Sequence, residues 1–122
     1  MTVLEAITHL DQLKPNSIDM ATKYRWLSDI EGILYDEVFS GTNGDYEGRS
    51  LPYTVADNDV VLCVPDPYAD VYVKYLFAQI DFINGEFTRY NNSMVMFNVA
   101  YAAFAHSVTR GFMPTQPNGI VV

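Results

Sequence analysis

The chain has 122 residues and a mass of 13.8 kDa, one domain's worth of polypeptide with room for one hydrophobic core and not two. Hydrophobic residues make up 49% and charged residues 18%, which excludes a disordered tail, and no apolar run approaches the ~20 residues of a membrane span. A net charge of −8 from 15 acids and 7 bases, with one cysteine and two histidines, excludes a basic nucleic-acid surface, an internal disulfide and a common nitrogen/sulfur zinc site.

Thr2-Val3-Leu4-Glu5 has no basic region ahead of an apolar stretch, so no secretory signal is expected. The same residues form a capping-box sequence, with Leu4, Ile7, Leu10 and Leu13 following at helical spacing until Pro15. This predicts a helix over 3–14. Asn16-Ser17 offers the next cap, and Met20, Tyr24, Leu27, Ile30, Leu34 and Val38 step by threes and fours, predicting a helix over 18–39. Gly32 sits inside it. Three glycines in Ser40–Ser50 mark a loop. Tyr53-Thr54-Val55 and Val60–Val64 flank the polar turn Ala56-Asp57-Asn58-Asp59, which predicts a β-hairpin over 53–64.

Asp66-Pro67 reads as an N-cap followed by proline at the first helical position, so a helix is expected to start there. From Val73 to Val108 an apolar stripe runs for 36 residues in alternating steps of three and four. One helix of roughly 60 Å satisfies that pattern, and so does a helical hairpin broken at Asn84-Gly85 or at Tyr90–Ser93. A compact domain rarely carries so long a helix, so the favoured reading is a hairpin turning near Asn91, with helices over 66–89 and 92–110. Phe77, Phe82, Val95, Val99, Ala100, Ala102, Ala103 and Ala105 lie off the stripe. The last helix is thus apolar on more than one face, which a subunit interface would complement. The expected core is Leu27, Ile30, Leu34, Leu76, Ile80, Ile83, Phe97, Tyr101 and Phe104.

The expected architecture is mainly α: a bundle of about four helices in a single domain over 1–110, with the β-hairpin insertion and an extended C-terminal arm over 111–122. That arm contains two prolines and two glycines, which exclude a helix, yet Phe112, Met113, Ile120, Val121 and Val122 make it apolar. Charge is uneven along the chain. Residues 1–66 hold 12 acids and 4 bases, a net of −8, whereas 67–122 hold 3 of each and 11 of the 17 aromatics.

No group of residues assembles a nucleophile, a base and an oxyanion donor, and no G-x-S-x-G, P-loop or G-x-G-x-x-G occurs. His9 reads as a surface residue and His106 as a helix-terminal one. Cys63 falls in an apolar run, where an inert buried thiol is expected. Asp57-Asn58-Asp59 lacks the glycine and distant glutamate of an EF-hand loop. The chain reads as non-enzymatic, with no cofactor and no metal.

Residues 65–104 carry a resemblance. Pro65-Asp66-Pro67-Tyr68, Tyr72–Leu76, Ala78-Gln79-Ile80-Asp81, Asn84-Gly85-Glu86, Arg89–Ser93 and Met96-Phe97-Asn98 with Tyr101 and Phe104 resemble small proteins of the structural-gene modules of phages and prophages of Gram-positive bacteria. The layout is similar to the head–tail connector family, mostly helical proteins that form a ring beneath the portal. The close likeness covers about a third of the chain.

The resemblance implies a structural virion protein in the neck, present in the host cytoplasm during assembly. Its partners would be further copies in a ring, the portal protein and tail or neck proteins, with no membrane contact. DNA would pass through the lumen without specific binding, which suits an acidic wall. The expected contact residues are Gly41, Asn43, Tyr46 and Arg49 in the loop, Tyr68 and Tyr72 at the third helix, and Phe112, Met113, Ile120 and Val121 in the arm. The competing expectations are a tail-completion or terminator protein and an acidic DNA-mimicking binding module.

Overall fold

A computed structural model of the chain describes residues 1–39 and 51–111. Four helices, α1 (Val3–Leu13), α2 (Met20–Leu34), α3 (Asp70–Ile83) and α4 (Phe87–Gly111), make up most of it. A π-helical turn over Tyr35–Phe39 continues α2, and Val55–Asp57 form a 3-10 turn. α1 and α2 pack on α3, and α4 packs chiefly on α3.

The capping box of α1 is present in both halves: Glu5 N–H donates to Thr2 Oγ1 at 3.1 Å, and Thr2 N–H to Glu5 Oε1 at 2.8 Å. The expected cap at Asn16-Ser17 is not used, and Asp19 stands at the N-cap of α2 instead. Asn16 shapes the connection between α1 and α2. Its amide donates to the Lys14 carbonyl and its Oδ1 accepts from Ile18 N–H.

The β-hairpin expected over 53–64 does not form, and the described residues contain no strand, only an isolated antiparallel bridge between Thr2 and Val61. The reason is where the backbone groups go. Thr54 caps the 3-10 turn, with Asp57 accepting from Thr54 N–H at 2.8 Å, so the polar stretch coils rather than reversing a strand. Val60 O accepts from Val3 N–H and Leu62 N–H donates to Met1 O. Cys63 and Val64 donate their N–H groups to side chains, Glu31 and Tyr72. Few polar groups of this run remain for a partner strand.

Asp66-Pro67 does not open α3. The bond between them is cis, residues 65–69 form successive turns, and the helix begins at Asp70 with Ala69 at its N-cap. The break in the long apolar stripe is at Asn84-Gly85, not near Asn91. Glu86 N–H donates to Asp81 O and Gly85 N–H to Phe82 O, with Gly85 at φ +72°, the Schellman ending of a helix. Tyr90–Ser93 lie inside α4.

Of the expected core, Leu27, Ile30, Leu34, Leu76 and Ile80 are at most 1% exposed, and Phe97 and Phe104 are buried. Tyr101 is half-buried. Ile83 is 53% exposed, because it stands at the very end of α3, next to the Asn84-Gly85 turn. The buried set also contains Val3, Ile7, Leu10, Leu62, Val64 and Tyr72.

Candidate functional site

Helix α4 has two unlike long faces. Phe97 and Phe104 turn inward, where Phe97 meets the Tyr75 ring edge-on at 5.3 Å between centroids and Phe104 meets Tyr68 at 5.8 Å. Roughly half a turn round the helix, Val95, Val99, Ala102 and Ala103 follow at i, i+4, i+7 and i+8, all exposed, with Met96 on one flank. Val95, Met96 and Val99 are 61%, 57% and 66% exposed. At the hairpin end Phe82, Ile83 and Phe87 each expose more than half of their surface, Phe82 lying against Phe87 and Tyr90. An aromatic side chain carries roughly 150–250 Å². Six half-exposed residues, in two groups, thus present several hundred Å² of apolar surface in all.

Most of the described acids among residues 1–66 are solvated. Glu5, Asp19, Asp29, Asp36, Glu37, Asp59 and Asp66 are exposed. Glu5, Asp59 and Asp66 border one shallow hollow together with His9. Among the described bases of this half, Lys23 is committed to Asp11 at 2.7 Å and Lys14 to the buried Asp81 at 2.6 Å. Ser93 Oγ donates to the other Asp81 oxygen, so α1, α3 and α4 meet at that carboxylate.

A second polar cluster lies in the interior. Glu31, 0% exposed, accepts from Tyr72 Oη at 2.5 Å, Tyr53 Oη at 2.8 Å and Cys63 N–H at 3.1 Å. Tyr72 Oη in turn accepts from Val64 N–H. Burial first, and then the adjacent Glu31 carboxylate, hold the Tyr72 phenol protonated far above its ordinary range. Burial and the hydrogen bond with Cys63 push Tyr35 the same way. Cys63 is only partly buried, and its thiol donates to Tyr35 Oη at 3.4 Å. Glu31 ties α2, the segment around Tyr53, the run at Cys63 and α3 to one point.

Of the expected contact residues, Tyr68 is half-buried at the start of α3. Tyr72 is not at a surface at all: it is 0% exposed, with its hydroxyl spent inside the core. Gly41, Asn43, Tyr46, Arg49, Phe112, Met113, Ile120 and Val121 lie outside the described residues. His9 and His106 are exposed and separate in the sequence, on α1 and α4. Glu31 is not among the expected site residues, although the sequence holds a signal for it. It falls in phase with Leu27, Ile30 and Leu34, an acid inside an apolar stripe. Among the described residues no group of three or more His, Cys, Asp or Glu is placed to hold a metal ion. No described helix is long and apolar enough to cross a membrane. No family model matches the chain, and no curated protein or solved structure matches it.

Proposed function

We propose that this chain is a structural virion protein, a head–tail connector that assembles into a closed ring between portal and tail and acts by assembly, not catalysis. The observation that carries the reading is the outer face of α4, where Val95, Met96 and Val99 stand in water on a helix already packed along its opposite side. A ring made by head-to-tail contacts would cover that face in every subunit. The exposed acids of α1 and α2 support the same reading. A lumen wall bearing them repels DNA phosphates, so the duplex slides without adhering.

The test is location and mass. Purified virions should contain the protein in many copies at the neck, and the isolated chain should assemble above monomer size. Complementing a phage that lacks the gene with a chain truncated after Gly111 should give filled heads and few tailed, infectious particles. Absence from purified virions overturns the reading, and with a monomeric mass it favours an acidic DNA-mimicking module.

A further inference from the structure

Between the end of α1 and the α3–α4 hairpin runs a groove of about 220 Å³. Val73, 2% exposed, lies deepest, Leu13, Phe77 and Met96 line it, and Asp70 and Lys74 at its rim are ion-paired with each other. We propose that this groove receives the Phe112-Met113 pair of a second copy of the chain. The inference rests on the self-assembling reading above and names the contact that would join neighbours.

Size and chemistry select the occupant. A pocket for a whole small ligand measures about 300–1,000 Å³. This smaller groove suits the anchoring side chains of a peptide. Its wall offers an aromatic ring, Phe77, and a thioether, Met96, the surfaces against which a methionine sulfur and a phenyl ring pack favourably. Phe112-Met113-Pro114-Thr115-Gln116-Pro117 carries no charge, and Pro114 biases Met113 toward the extended backbone that lays side chains into a groove. Aromatic and methionine anchors are enriched where interfaces are driest.

Reach decides that the peptide comes from another copy. From Met96 to Gly111, α4 is about 22 Å long at ~1.5 Å per residue. Phe112 and Met113 lie one and two residues past its end, a span of at most about 7 Å. Neither reaches back to the groove of its own chain. Met96 also borders the exposed outer face of α4, so a tail seated in the groove would continue onto the surface that carries the assembly reading. Groove and tail are different parts of the molecule, so each copy offers one and takes the other. That is the head-to-tail contact that builds a ring.

The test uses the full chain in a Cys63→Ser background. Two preparations with different tags, one bearing Met96→Cys and one Met113→Cys, are mixed and mildly oxidised. A disulfide joining the two tags is expected, in yield well above that from Val55→Cys mixed with Met113→Cys, a position 70% exposed and away from the groove. In sedimentation, Met96→Lys and the pair Phe112→Ser/Met113→Ser should each reduce the assembled chain to monomer, while Val55→Lys keeps the parent mass. Equal yield at Val55, no cross-link between tags, or parent mass in both the groove and the tail variants would overturn the proposal. If the cross-link forms but virions lack the protein, the neck reading fails and this contact stands. If virions contain it and no cross-link forms, this contact alone fails.

Discussion

Glu31 is the residue on which the interior depends most. A carboxylate with no exposed surface is tolerated because two phenol hydroxyls and one backbone N–H donate to it. Glu31→Leu would orphan all three donors, each at a cost of about 1–3 kcal/mol, a large part of the ~5–15 kcal/mol of a small domain. Urea unfolding should show the midpoint of Glu31→Leu far below the parent's, and Tyr53→Phe, which removes one donor, lowered only modestly. Equal midpoints for Glu31→Leu and the parent would show that the cluster is dispensable. The same site sets an alkaline limit. Tyr72 keeps its proton in the folded chain well above the ordinary phenol value of ~10, so its contribution is complete below pH ~10. Above that, the unfolded chain sheds the proton and the folded chain does not. Stability should then fall by about 1.4 kcal/mol per pH unit from this residue alone. Tyr35 and Tyr101 shift in the same direction and should steepen the fall. Urea midpoints that stay level between pH 9 and 11 would contradict this.

Among the elements, the α3–α4 hairpin depends on one backbone conformation. Gly85 stands at φ +72°, with nothing within 4 Å of where a Cβ would sit. Gly85→Ala therefore meets no clash and costs only the left-handed conformation, about 1–2 kcal/mol, read as a lowered melting temperature with an unchanged helical spectrum. Phe104→Ala, by contrast, removes a side chain 2% exposed from between α4 and Tyr68, and should cost roughly 3–5 kcal/mol and most of the soluble yield. Apolar stepping and the Thr2/Glu5 box locate α1 and α2, whereas the unbroken stripe from Val73 to Val108 fits one helix as well as two. Asn92 and Ser93 offer a cap that points to a turn near Asn91, whereas the Schellman ending at Asn84-Gly85 wins through backbone hydrogen bonds that no composition displays. The false hairpin at 53–64 has a similar cause. Val60–Val64 have strand-like residues, but the amides of Leu62, Cys63 and Val64 are met by Met1, Glu31 and Tyr72, partners outside any local window.

For the whole molecule, the surplus of apolar surface was readable from α4, since Val95 and Val99 fall opposite Phe97 and Phe104 on a helical wheel. The polar interior is legible only in the phase of Glu31, since its donors Tyr53, Cys63 and Tyr72 come from three other segments of the chain. The two faces of α4 should respond differently to charge. Val95→Lys/Val99→Lys changes exposed positions, so the monomer should keep its urea midpoint within about 0.5 kcal/mol. The same variant should lose assembled mass in sedimentation, since lysines in the dry part of an interface are strongly disfavoured. An assembled mass equal to the parent's would place the contact surface elsewhere.

The donors around Glu31 also impose an order on synthesis. Tyr53, Cys63 and Tyr72 all follow it in the chain, the last by 41 residues. A ribosome therefore releases α2 with its carboxylate still hydrated, and nothing already made can satisfy it. The apolar stripe of Leu27, Ile30 and Leu34 can meet α1 at once, but its contact with α3 waits until that helix has emerged. The hairpin of α3 and α4, joined by three residues, closes without waiting for distant sequence. Made from its N-terminus, this chain would thus hold its acidic half open until its aromatic half arrives, and would complete its interior from the C-terminal side.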